Sequence, residues 1–324
     1  MSPEIPSISE ITQSAERIKP YIHKAPVLTS QSINEISGCK LYFKCENFQK
    51  TGSFKIRGAM NAVSSLSEEE ASRGVVTHSS GNFAQAIAYA SKCRGINATI
   101  VMPENVTPVK RNAVQGYGAE IIYSGNNPED REKKCNEVMK QTGASFIHPS
   151  NDIRVITGHA SCAIELSEKI PGLDSVVSPV GGGGLLSGIL IGFHHCSADT
   201  KVYAGEPLNA DDAYQSLKEG KIIPQKNPDT IADGLRTSLG NVTFPIIQKF
   251  VSEILLVSEE EIIFAMRLIW ERMKIIAEPS GCVALAAVLK NKEMFRNKKT
   301  GIIISGGNAD LKTSTLITSV QRTF

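Results

Sequence analysis

The feature that most limits what this chain can fold into is an alternation repeated along its length. A short run of β-branched and apolar residues is followed by a glycine or proline turn and then by a stretch with helical spacing. The runs are Gly74 to Thr77, Ala98 to Met102, Glu120 to Tyr123, Ser145 to Ile147, Ser175 to Val180, Lys201 to Gly205, Glu253 to Val257 and Gly301 to Ser305. Most are apolar throughout rather than alternating, the pattern of strands covered by helices on both faces. The expected fold class is therefore α/β with mainly parallel sheets, and so many strands are plausibly divided between two open, twisted sheets.

Before the first of these runs, Ser7 and Glu10 form a capping box. Ile8, Ile11, Ala15 and Ile18 then recur at helical spacing, so an amphipathic helix should open the chain. Ser258 with Glu261 reads as a second box, and the stripe Ile262, Ala265, Met266, Ile269 and Met273 is expected in the core. No low-complexity tract or fixed-period repeat marks a domain boundary.

Charge narrows the choice of partner. The 324 residues carry a net charge of +2 with both signs interspersed, which leaves no basic stripe for a phosphate backbone; nucleic acid is not expected as a partner. Met1-Ser2-Pro3-Glu4 lacks the charged and apolar regions of a leader, and no stretch is long and apolar enough to cross a bilayer. The expectation is a cytoplasmic protein without a membrane partner. The seven cysteines are odd in number and scattered, without a closely spaced pair, and are read as reduced packing residues. His194 and His195 fall near a helix end, while His78, His148 and His159 lack a second ligand at metal-binding spacing.

Several turns after strands carry candidate chemistry. The run Leu41-Tyr42-Phe43 feeds a polar turn with Gly52, and Ser53 is positioned to cap a helix from Phe54 toward Val63, with Lys55 in its first turn. An amine beside the positive end of a helix disfavours its charged form, and burial would make the neutral, nucleophilic amine accessible. Gly181-Gly182-Gly183-Gly184 lies between a strand and a helix, where successive amides without Cβ neighbours can converge on a phosphate. Ser79-Ser80-Gly81-Asn82 follows a strand and reads equally as a helix cap or a binding turn. Ser305-Gly306-Gly307-Asn308 ends the last strand, and Glu206 with Asp211 and Asp212 supplies hard oxygen atoms suited to Mg²⁺ or Ca²⁺, although such acidic loops are commonly just solvated.

Together, the stretch Glu46 to Ala59, the tetraglycine, Ser79-Ser80-Gly81-Asn82 and Ser305-Gly306-Gly307-Asn308 resemble the pyridoxal-phosphate enzymes of the tryptophan-synthase-β type, fold type II. Within them the likeness is greatest to the serine racemases of the serine/threonine dehydratase family, and it runs from about Ile8 to Leu311. The resemblance implies a small domain, residues 77–150, inserted into a large cofactor-binding domain made of 1–76 and 151–324, with the active site in the cleft between them. It makes Lys55 the lysine that condenses with pyridoxal 5′-phosphate, and assigns cofactor contacts to Phe54, Asn82, Gly181, Gly182, Gly183, Gly184 and Ser305. Ser80 would stand on the face of the substrate Cα opposite Lys55, and Ser79, Ser80 and Arg131 would contact the substrate. A neutral hydroxyl such as that of Ser305 can meet the pyridine nitrogen without holding it protonated, which makes the ring a weaker electron sink.

The resemblance further implies a divalent cation (Mg²⁺, Ca²⁺ or Mn²⁺) on Glu206, the carbonyl of Ala210 and Asp212. It implies ATP as an allosteric activator near Ser30, Lys50, Thr51, Gln85, Tyr117, Lys274 and Asn308, and a homodimer. The expected activity is interconversion of L- and D-serine with accompanying β-elimination to pyruvate and ammonia. The alternatives are a threonine or 3-hydroxyaspartate dehydratase with little racemase activity, and a non-catalytic ligand sensor. Three positions depart from the family pattern: Phe83 stands where histidine is usual, Gly158-His159-Ala160-Ser161 where Gly-Gln-Gly-Thr is expected, and Ala309 where valine is expected.

Overall fold

The computed structural model describes residues 5–106, 108–125, 127–310 and 315–316. Leu311, at the end of the resemblance, lies outside them. The strands are β1 (Val27–Leu28), β2 (Lys40–Cys45), β3 (Val75–His78), β4 (Ala98–Pro103), β5 (Glu120–Ser124), β6 (Ser145–Phe146), β7 (Ser175–Pro179), β8 (Lys201–Pro207), β9 (Glu253–Val257) and β10 (Lys299–Ile304).

They form two sheets. One has six strands in the order β1-β2-β10-β7-β8-β9, parallel except for β1 against β2. The other has four parallel strands in the order β5-β4-β3-β6. Strands β7 and β10 are buried almost end to end, as their unbroken apolar runs require, because helices cover both faces. The helix Pro279–Lys290 packs its whole apolar length on the larger sheet, with Cys282, Val283 and Leu285 fully buried beside Ile302 and Ile304.

Chain order brings the two halves together. Strand β10, last in sequence, pairs with β2, so Ser305 arrives beside the turn that leads to Lys55. The Phe54 N–H donates to the Ser305 carbonyl (3.0 Å), and Ser53 forms a bridge with Gly306.

Local detail departs from the sequence reading in three places. Ser53 does not cap the helix Lys55–Ser64: it is extended (φ −161°), its hydroxyl is buried without a partner, and Phe54 holds the cap position. The bridge to Gly306 fixes Ser53 in strand-like geometry, and this tertiary contact outweighs its capping preference. Likewise no side chain of Ser79-Ser80-Gly81 caps the helix Asn82–Arg94, whose cap is Gly81. Gly74 has φ +75° and turns the chain into β3 rather than belonging to it.

Both capping boxes, Ser7 with Glu10 and Ser258 with Glu261, are formed. The expected core stripe continues into a π-helical segment, Ile269–Met273, that ends on Lys274 in the left-handed region (φ +60°). None of the helices among the described residues is long and apolar enough to cross a membrane.

Candidate active site

Lys55 opens the helix Lys55–Ser64, whose remaining residues up to Val63 are buried. Its Nζ lies 4.9 Å from the Phe54 ring centroid and 5.6 Å from that of Phe83, and donates to the carbonyl of Pro149 (3.0 Å). Among the described residues no salt bridge to it is formed. Burial of the amine brings its pKa down to about 8, opposed by the negative charge of Glu278. An appreciable fraction is therefore the neutral nucleophile near neutral pH. The drop in pKa comes chiefly from packing, which the sequence could only anticipate.

The tetraglycine is wholly buried between β7 and the helix Gly184–Cys196. Gly183 takes φ +80°, which turns the strand sharply into the helix. A Cβ on Gly182 would stand 2.5 Å from the Ser150 Oγ, and one on Gly184 2.9 Å from the Ser150 Cα. Side chains are thus excluded on both sides of the turn, which leaves backbone amides at the positive end of a helix, the arrangement that suits an anion. Because Ser150 follows Pro149, the residue against the glycine turn is bonded directly to the one that receives the Lys55 amine. The glycine turn and the Lys55 amine thus both adjoin the Pro149-Ser150 pair.

Asn82 is fixed from two sides. Its Nδ2 donates to Glu278 Oε1 (2.9 Å) and Oε2 (3.1 Å), while its Oδ1 accepts from Asn308 Nδ2 (2.8 Å), which also donates to the Thr51 carbonyl (2.8 Å). Glu278 is nearly inaccessible, and burial raises its carboxyl to about 7, opposed by the Asn82 bond. Sequence analysis does not single out Glu278; its signal is a Glu-Pro pair opening the helix Pro279–Lys290. Ser305 is also buried, at the end of β10.

Ser79 and Ser80 are partly exposed at the end of β3, and Ser79 Oγ accepts from the Gly81 N–H (3.3 Å). Arg131, on the helix Pro128–Thr142, reaches back to the Asn127 carbonyl (3.4 Å) and makes no ion pair among the described residues, so surface pairing does not explain it. Its charge helps depress the pKa of His78, which burial brings down to about 4. Lys110, on the helix Pro108–Gly116, pairs with Asp233 (2.8 Å).

Of the other two expected sets, the cation set lies apart from these contacts. Glu206 and Asp212 are inaccessible, and Ala210 between them is 1% exposed. Glu206 accepts from the N–H groups of Ala213 and Tyr214 (2.8 Å each), while both Asp212 oxygens are buried without a well-formed hydrogen bond. Burial pushes Asp212 up to about 7, helped by Asp211; burial and the Asp212 charge push Glu206 well above the usual carboxylate range. Such a pair fits a divalent cation, which would neutralise both and satisfy the orphaned oxygens. Among the described residues no cluster of three or more His, Cys, Asp or Glu side chains suits a metal, so a carbonyl such as that of Ala210 would have to contribute.

Of the positions expected near ATP, Thr51 and Asn308 touch through the bond above. Lys274 is exposed, Lys50 and Gln85 are half-buried, Ser30 is buried, and Tyr117 packs edge-on against Tyr89 (5.5 Å).

Two mainly parallel α/β sheets, a buried glycine turn at a helix N-terminus and a half-buried lysine with a lowered pKa, both beside the Pro149-Ser150 pair, suit the class of enzyme that uses a phosphorylated aldehyde cofactor. The chain belongs to the pyridoxal-phosphate dependent enzyme family, whose description matches residues 18–306. It is 51% identical over 310 residues to the serine racemase of Dictyostelium discoideum, covering 94% of this chain and 95% of that protein. It is 46% identical over 307 residues to the beta-hydroxyaspartate dehydratase of Paracoccus denitrificans, covering 95% and 98%. The structure of maize serine racemase superposes with a TM-score of 0.94 at 43% identity, covering 96% of each chain.

Proposed function

We propose that this protein is a pyridoxal-phosphate dependent serine racemase that also eliminates water from serine to give pyruvate and ammonia. The observation that carries the reading is the Lys55 amine, with its pKa brought down to about 8, held on the Pro149 carbonyl next to the Ser150 that packs on the tetraglycine turn. The similarity to serine racemases over nearly the whole chain gives it the substrate. When bound, the cofactor supplies an electron sink that acidifies the substrate Cα–H.

In this reading Gly181 to Gly184 hold the phosphate, Asn82 the ring oxygen, Ser305 the ring nitrogen and Phe54 one side of the ring. Lys55 takes the Cα proton from one face and the Ser80 hydroxyl returns one from the other. Arg131 and Ser79 orient the substrate carboxylate. The small domain, residues 77–150, closes on the large domain, 1–76 and 151–324, to exclude water. The orphaned Asp212 oxygens support a divalent cation (Mg²⁺, Ca²⁺ or Mn²⁺) held with Glu206 and the Ala210 carbonyl. ATP activation through Ser30, Lys50, Thr51, Gln85, Tyr117, Lys274 and Asn308, a homodimer and a cytoplasmic location complete the proposal.

The dehydratase similarity favours a second reading, in which 3-hydroxyaspartate is the better substrate and racemisation is minor. Chiral chromatography of serine turnover, run beside a ketoacid assay on serine and 3-hydroxyaspartate, separates the two. D-serine formed from L-serine at a rate comparable with pyruvate supports the first reading. Ketoacid from 3-hydroxyaspartate without D-serine from L-serine overturns it. A Ser80→Ala enzyme that racemises as fast as the parent removes the role given to Ser80.

A further inference from the structure

Between β6 and the helix Ile153–Lys169, the residues His148-Pro149-Ser150-Asn151 form a turn that touches three parts of the site. The Pro149 carbonyl accepts from the Lys55 amine (3.0 Å). Ser150 lies so close to Gly182 and Gly184 that a Cβ on either would meet it within 3 Å. Asn151 anchors the turn to the larger domain, donating to Asn241 Oδ1 (2.7 Å) and accepting from the Val242 N–H (2.8 Å).

One ring atom closes this turn on itself. His148 Nδ1 accepts from the N–H groups of both Ser150 (3.1 Å) and Asn151 (2.8 Å). Two donors on one ring nitrogen require its lone pair, so the proton sits on Nε2 and the imidazole is neutral. The groups around it agree. Burial and then the Lys55 charge lower its pKa to about 4, Asp152 opposes them, and among the described residues the one other titratable ring against it is that of His78, edge-on at 5.5 Å. Because Nδ1 is committed to the backbone, His148 is unavailable as a general base through that atom.

We infer that His148 is a positioning residue, whose unprotonated Nδ1 fixes the 148–151 turn and so sets the Pro149 carbonyl against the Lys55 amine and Ser150 against the phosphate cradle. The inference rests on the cofactor site proposed above but not on which amino acid is turned over. It places a histidine that neither holds a metal nor touches the reacting atoms in control of both ends of the cofactor.

Two variants of the full-length holoenzyme test it. His148→Phe keeps a ring against His78 and removes the acceptor; His148→Asn puts an amide oxygen near the place of Nδ1 and cannot titrate. With two hydrogen bonds lost, the Phe variant is expected to release its cofactor about tenfold faster on dialysis and to lose about tenfold in kcat, with KM for serine nearly unchanged. The Asn variant is expected to restore both and, unlike the parent, to keep its cofactor as pH falls from 6 to 4. The other titratable and charged groups around the turn, Lys55, Glu278, His78 and Asp152, are common to both proteins.

Parent-like cofactor retention and kcat in the Phe variant overturn the inference. So does an Asn variant that sheds its cofactor at the same acid pH as the parent, an arm that stands even where the Phe variant fails to fold. A parent enzyme that binds cofactor but leaves serine unchanged refutes the functional reading alone, since retention still decides the role of His148.

Discussion

Two lysines, Lys44 buried and Lys55 half-buried, stand eleven positions apart and are treated in opposite ways. Lys44 is 1% exposed and fully paired: its Nζ meets Glu165 at 2.5 Å, Glu46 at 3.7 Å and the Ala25 carbonyl at 2.7 Å. Arg57, on the same helix as Lys55, completes the cluster, with Nε 2.7 Å from Glu46 Oε2 and NH2 2.8 Å from Glu165 Oε2. Two cations and two carboxylates cancel, and each has partners in good geometry. Burying them is therefore tolerable, although no great stability should be credited to them. Lys55 has one carbonyl and two aromatic rings. The protein satisfies the charges of the cluster and leaves under-satisfied the amine proposed to react.

The largest effect expected from breaking this contrast is at Lys55. Lys55→Ala removes the nucleophile and base together, and turnover should fall by about 10⁴-fold or more with the visible cofactor band lost and the melting temperature nearly kept. Removing a partner from the other cluster should do the reverse. Arg57→Met leaves Glu46 and Glu165 to share Lys44 and should cost about 3–5 kcal/mol in denaturant unfolding, because the uncompensated buried charge is the expensive species. A Glu46→Gln, Arg57→Met double variant that is no less stable than the parent would instead reveal that the cluster is dispensable.

A smaller effect sharpens the account of Lys55 itself. Its folded pKa, about 8, lies below the ordinary lysine value of 10.5, so the reactive neutral form is lost as pH falls through 8. The rate at which cofactor-free protein takes up pyridoxal phosphate should fall about tenfold per pH unit below 8 and level off above it; a midpoint near 10 would mean that the amine is solvated. The smallest effect belongs to Lys110 and Asp233, which are 37% and 49% exposed. Lys110→Ala should change unfolding free energy by less than about 1 kcal/mol, the range of exposed ion pairs.

Much of the architecture was legible because it rests on local pattern. The apolar runs mark the strands, with Glu253–Val257 placed to the residue and most others within one or two, since β-branched content and flanking turns act over a few residues. The short β1 and the π-helical segment at Ile269–Met273 escaped, being held by pairing and packing rather than by propensity. Ser53 was misread as a cap because its bridge to Gly306 comes from a strand some 250 residues away in sequence. In the site, Lys55 and the tetraglycine carry sequence signals. Glu278, the Pro149 carbonyl and the Nδ1 lone pair of His148 acquire their places only when distant segments meet.

By itself the amino-acid order determined the alternation of strands and helices, the glycine turn able to accept a phosphate and the lysine at a helix start, for these depend on neighbours along the chain. Only the tertiary structure decided that the amine would be desolvated rather than paired, that Asn82 would be gripped by Glu278 and Asn308, and that Asp212 would be buried with its oxygens unmet. The physical reason is that a charge in protein has the energy of its surroundings, and those surroundings are assembled from residues far apart in sequence.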